Sequence, residues 1–230
     1  MKVLFNAGRI LLSVIWPFFL LTLAIAIVAN SLWFYESEFR KFDVISRTGL
    51  EEEELKEVAS EFINYFKSGE ENLELTVIRD GEPVELLTER EILHMKDVKA
   101  LIRLDYAVLL GSGIYLIGFG LFCFFQQRRR ELAMSFVWGS VLTIALIIFL
   151  GLAVATSFDW FFINLHLISF SNDLWLLSPQ DYLIRLFPET FFRDASLLVT
   201  VIIAGLAVLA GVLGALYSSR RPRGILSLQM

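Results

Sequence analysis

The 230-residue chain is 56% hydrophobic and 14% aromatic, with a mean hydropathy of +0.64, which excludes an ordinary soluble domain. Its net charge of -5 averages over unlike blocks, and the basic residues stand in short clusters at the ends of apolar runs, so nothing points to a nucleic-acid partner. A single cysteine, Cys123, rules out an internal disulfide framework.

Residues 10–35 are the first stretch without Asp, Glu, Lys or Arg. The stretch exceeds the roughly 20 residues that cross a bilayer as a helix. It is too long for the core of a cleaved signal peptide and ends in Leu32, Trp33, Phe34 and Tyr35, an aromatic group of the kind found at membrane interfaces. It reads as an uncleaved first transmembrane helix, with a kink expected at Pro17.

Residues 36–103 read as a small folded cap. Thr48-x-x-Glu51 has the capping-box pattern, and Leu55, Val58, Ala59, Phe62 and Phe66 follow at helical spacing up to Gly69. Glu51 to Glu54 read as a solvated first turn favoured by the helix dipole. Residues 73–78 and 83–87 suggest two strands joined at Asp80–Gly81. A second box, Thr88-x-x-Glu91, opens a helix expected to run into the next span.

Three more apolar runs give transmembrane helices over 104–127, 132–158 and 195–219, separated by a loop at 128–131 and an outer segment at 159–194 and followed by a tail at 220–230. None shows the period-2 alternation of a membrane barrel. The expected fold is an α-helical integral membrane protein: four transmembrane helices, a small mixed α/β extracellular cap and a second outer segment. Gly111, Gly113, Gly118, Gly120, Gly205, Gly211 and Gly214 are expected at close helix contacts. Cys123, near one end of the second span, reads as a packing residue.

Orientation follows from charge. Lys2, Arg9, Arg128, Arg129, Arg130, Arg220, Arg221 and Arg223 oppose a single acid, Glu131, on one side. Residues 36–103 carry 18 acidic and 10 basic groups, and residues 159–194 carry 5 and 2. Positive loops stay inside, so both termini are expected in the cytoplasm and both long connections outside.

Within 159–194, Trp160 to Asn172 is uncharged but too short to span, which suggests a re-entrant or interfacial piece. Tyr182 to Phe192 mixes Leu, Ile and Phe with Arg185 and Glu189 and reads as amphipathic, lying at headgroup level. The segment is rich in bulky side chains, including Phe170 and Trp175.

The only two histidines, His94 and His166, both fall in these outer parts. Glu91 and Asp97 lie three residues either side of His94, on its helix face. A carboxylate there orients an imidazole and raises its basicity. Asn164, Asn172 and Asp173 are near His166 in sequence. The bland alternative makes His94 a surface residue and His166 an interfacial one. A metal site of His94, Asp97 and His166 is a further alternative, but HExxH and clustered Cys are missing. GxSxG, P-loop and GxGxxG motifs are also absent.

The segments Glu89-Arg90-Glu91-Ile92-Leu93-His94-Met95-Lys96-Asp97-Val98-Lys99 and Trp160-Phe161, His166, Phe170, Asn172, Trp175, Asp181, Leu186-Phe187-Pro188-Glu189-Thr190-Phe191-Phe192 together resemble the signatures of the bacterial lipoprotein intramolecular transacylases, Lit. The resemblance implies an enzyme of the cell membrane in certain Gram-positive bacteria, with its site facing the outer leaflet. Its substrates would be diacylated lipoproteins among the membrane lipids. It would move the sn-2 acyl chain of the diacylglyceryl group to the α-amine of the N-terminal cysteine, leaving a lyso-form lipoprotein. It implies His94 and His166 as the catalytic pair, and no cofactor. Glu91, Asp97 and Asn172 are then expected as supporting groups, and Lys99, Trp160, Phe170, Trp175 and Arg185 as substrate contacts. Two other classes remain: a lipid or ester hydrolase on the same site, with or without a metal, and a non-catalytic sensor or assembly protein whose cap binds a partner. A transporter is disfavoured, because the spans hold no internal charge to mark a path.

Overall fold

The computed structural model describes residues 2–79 and 82–219. The expected turn at Asp80–Gly81 and the tail 220–230, with Arg220, Arg221 and Arg223, lie outside the described residues. Among the described residues, four helices are long and apolar enough to cross a membrane: α1 (Lys2–Ala29), α5 (Glu89–Phe125), α6 (Arg129–Thr156) and α9 (Glu189–Ser219). Helix α1 packs against α5, α6 and α9, and α6 also lies along α9.

Hydrogen bonds and small residues set these contacts. Helix α1 continues through Pro17, and Ser13 Oγ donates to the Ser135 carbonyl of α6 (2.9 Å). Tyr115 Oη donates to the Gly8 carbonyl (2.9 Å), joining α5 to α1. Gly214 lies against the Ala133 carbonyl, where an added Cβ would come within 2.8 Å, and Gly139 lies against Trp16. The glycines are not uniformly packed, however. Gly111, Gly118, Gly120 and Gly205 face open space, so composition alone overstated their role at helix contacts.

The cap comprises α2 (Leu32–Lys41), α3 (Val44–Thr48), α4 (Glu52–Lys67), the antiparallel strands β1 (Thr76–Arg79) and β2 (Glu82–Glu85), and the first turns of α5. Helix α4 begins at Glu52, so the Thr48-x-x-Glu51 box is not its start. Gly49, at φ 73°, ends α3 in the left-handed region. Thr48 therefore belongs to the preceding helix, where its hydroxyl donates to the Val44 carbonyl. Glu51 takes the N-cap of α4, with its own N–H donating to the Glu54 carboxylate (2.8 Å). The Thr88 box forms as expected: Thr88 N–H donates to Glu91 (2.8 Å), and Thr88 Oγ1 accepts from Glu91 N–H. From there α5 runs unbroken for 37 residues.

The outer segment folds as α7 (Phe158–Ser169), a loop, and α8 (Tyr182–Leu186). Twelve residues make a rod of about 18 Å, short of the roughly 30 Å hydrocarbon core. The stretch 182–192 departs from the expected interfacial helix. Leu183, Leu186, Phe187 and Phe191 are buried in the cap core, and α9 starts at Glu189. Phe187 meets Phe62 edge-on at 4.8 Å and also touches Tyr35, Phe39 and Phe191. The stretch is thus the floor of the cap, seating it on the bundle.

Candidate active site

The Thr88 box fixes the start of α5 and with it the helical phase of three side chains, Arg90, His94 and Asp97. At i, i+4 and i+7 they share one face, and that face receives the loop after α7. Arg90 pairs with Asp173 (3.5 Å) and donates to its carbonyl. His94 meets the Phe170 ring edge-on at 5.2 Å. Asn172 Nδ2 donates to Asp97 Oδ2 (2.8 Å), and Asn172 Oδ1 accepts from Leu174 N–H. Polar clasps therefore stand above and below the His94–Phe170 contact.

The other histidine arrives on α7, whose N-cap Ser157 accepts from Trp160 N–H (3.3 Å). His166 Nδ1 lies 2.8 Å from the Phe162 carbonyl. A carbonyl only accepts, so Nδ1 donates its proton there, and Nε2 is the ring nitrogen left free of that contact. Its ring is packed by Phe162 (4.3 Å), Trp175 (5.0 Å) and Phe170 (5.6 Å). The two imidazoles stand 6.4 Å apart between centroids, 28° from parallel.

His94 is 8% exposed, and its Nδ1 is buried without a partner. Burial, reinforced by the neighbouring His166, lowers its pKa from 6.5 to about 4, against the opposing pull of Asp97. His94 is thus neutral near pH 7.

The remaining sequence-derived candidates divide. Phe170 and Trp175 join the histidine pair, while Trp160 is 60% exposed on α7. Glu91 does not hydrogen-bond to His94. Fully buried, it accepts from Thr88 N–H, Thr88 Oγ1 and, across the fold, Leu183 N–H of α8 (2.7 Å). Lys99 is also committed elsewhere: its ammonium donates to the Glu70 carbonyl (2.6 Å) and lies 3.8 Å from the Tyr65 ring centroid. Arg185 donates to the Arg47 carbonyl (2.6 Å) and stacks on Tyr182. These two hold the cap together rather than facing the histidines. Among the described residues, no three His, Cys, Asp or Glu side chains are grouped to hold a metal. Cys123 is buried on the far half of α5. Two contributors were not singled out as site supports: Arg90, detectable from its position four residues before His94, and the Phe162 carbonyl, four residues before His166.

A family model for the lipoprotein intramolecular transacylase Lit matches residues 10–192. An uncharacterised protein of Aquifex aeolicus is 29% identical over 212 residues, 89% of this chain and 93% of that protein. The solved structure of Lit from Bacillus cereus superposes with a TM-score of 0.82 at 23% identity, over 94% of this chain and 96% of that one. A histidine-to-arginine variant of the same protein gives 0.76 at 22% identity, over 94% and 92% of the two chains. The solved structures share the four-span fold, and the family model runs from the first span through the histidine site and the floor of the cap. The chain belongs to the lipoprotein intramolecular transacylase family, Lit.

Proposed function

We propose that this chain performs the family's O-to-N acyl transfer with His94 and His166 as the catalytic pair, in the outer leaflet of the membrane. The observation that carries this reading is the meeting of the chain's two histidines, from separate elements, at 6.4 Å among half-buried aromatic rings.

The α-amine of a lipoprotein's N-terminal cysteine attacks the sn-2 ester carbonyl of the diacylglyceryl group on the same molecule. An ordinary α-amino pKa near ~8 leaves part of the amine neutral at physiological pH. His166, its Nδ1–H tied to the Phe162 carbonyl, takes the amine proton at Nε2 as the N–C bond forms. The oxyanion of the tetrahedral intermediate needs a donor that is not itself a strong acid. His94, held neutral by burial, offers an imidazole N–H for this role. The C–O bond then breaks, and the His166 proton passes to the departing glycerol oxygen. Nucleophile and ester belong to one substrate, so orientation supplies much of the rate, up to about 7–11 kcal/mol in favourable cases. Phe162, Phe170 and Trp175 around His166 keep water from competing with the amine. Asp97 and Asn172 are positioning residues that hold Phe170 over the pair.

The charge asymmetry supports the placement. The acidic cap and histidine pair lie at one end of the bundle, and the α5–α6 turn with Arg128, Arg129 and Arg130 at the other, which the positive-inside rule makes cytoplasmic.

The test is mass spectrometry of a lipoprotein's N-terminal peptide from a host without its own N-acylating activity. The wild-type chain yields an N-acyl, S-monoacylglyceryl peptide. His94→Ala and His166→Ala each slow its formation by about 10²–10⁴-fold. Release of free fatty acid in place of the N-acyl product would make the site a hydrolase. Unchanged product with both variants would place the chemistry elsewhere.

A further inference from the structure

At the end of the bundle remote from the cap, the four spanning helices leave an apolar groove of about 590 Å³. Trp16 of α1, Gly120 and Phe124 of α5, Phe136 of α6 and Leu213 of α9 form its walls, and Arg129 is its one charged lining residue. Phe124 and Leu213 are 48% and 57% exposed, on spanning helices whose outer faces meet acyl chains in a bilayer. Arg129 stands over the Phe124 ring at 4.1 Å, and none of the ion pairs among the described residues engages it. Close by, Lys2, Arg9 and Arg128 line a smaller cleft of about 200 Å³ with Glu131 as its only acid.

We propose that this groove binds one anionic glycerophospholipid of the leaflet opposite the histidine pair. Its acyl chain lies along the groove and its phosphate meets Arg129. The apolar walls select a chain, and the surrounding basic residues select negative charge over a zwitterion. The groove lies at the far end of the same spanning helices from His94, so it is separate from the acyl-transfer site.

The test is native mass spectrometry of the purified full chain, released from detergent containing equal amounts of phosphatidylglycerol and phosphatidylcholine. Wild type is expected to retain one phosphatidylglycerol preferentially. Arg129→Gln lowers that preference about fivefold. Arg130→Gln, which removes the same charge but does not line the groove, leaves it unchanged. Gly120→Phe places a ring in the groove from a position where an added Cβ meets nothing within 4 Å, and lowers retention of both lipids. Equal retention of the two lipids by wild type would overturn the proposal. So would equal losses in Arg129→Gln and Arg130→Gln, which would mean diffuse attraction to a basic surface. If Gly120→Phe fails to fold, the two arginine variants decide.

Discussion

Burial pushes His94 away from charge, and this has a thermodynamic signature separate from catalysis. The unfolded chain takes up a proton at this side chain near 6.5, while the folded chain refuses it until about 4. Between those values the unfolded state binds more protons, so the contribution of His94 makes stability fall as pH falls. In His94→Gln this contribution is gone. The drop in Tm on acidification from 6.5 to 4 should therefore be smaller in the variant than in wild type, read by thermal unfolding in detergent. An equal drop in both would mean that His94 is not held neutral by its surroundings. At this scale the sequence identified the pair, because the chain has only two histidines and both fall beside outer segments. It did not reveal that Asn172 binds Asp97 or that Glu91 binds Leu183. Neither partner lies within a few turns of the other, and local spacing carries no information about such contacts.

Helix starts and stops were legible where one local signal acted alone. The Thr88 box set the beginning of α5 correctly because the preceding chain is extended there. The Thr48 box failed because Gly49 terminates a short helix first. The region 182–192 was misread for a different reason: its alternation of Leu, Ile and Phe with charges suits a lipid surface and a cap floor equally. The floor is locked by Glu91, a buried carboxylate with three donors from two elements. Glu91→Ala strands the Leu183 N–H, and loss of this bridge should cost about 2–4 kcal/mol. Thermal unfolding should show a Tm lower by several degrees, with Glu91→Gln falling less because one acceptor oxygen remains. A Tm unchanged in Glu91→Ala would show that α8 is held by its apolar contacts alone.

For the whole molecule, charge-free runs and their flanking charges were enough to read a four-span protein, since lipid forces every backbone group into a helix or a closed barrel. How the spans pack was less legible. Gly139 and Gly214 make close contacts while Gly120 faces open space, and composition does not separate them. The sidedness can be checked with cysteine labels in a Cys123→Ser background. Glu53→Cys, on the exposed first turn of α4, should react with an impermeant maleimide in intact cells. Arg130→Cys, in the first turn of α6, should react only after permeabilisation. The reverse pattern would invert the proteolipid topology proposed above and remove the site from the outer leaflet.

Helix α5 carries His94 and the second span on one uninterrupted rod of 37 residues, about 55 Å long. The height of the imidazole above the hydrocarbon is therefore set by a rigid gauge, not by a flexible linker. In the proposed reaction the ester meets this imidazole and moves with the lipid, so a bilayer that is thicker or thinner than the gauge lifts or lowers the ester relative to His94. Reconstituted into phosphatidylcholine bilayers of graded chain length, the enzyme should show a maximum in transfer rate at one thickness, with decline on both sides. A flat profile would mean that the substrate, rather than the helix, makes up the difference. Such an enzyme is tuned to the dimensions of a membrane as well as to the chemistry of its substrate.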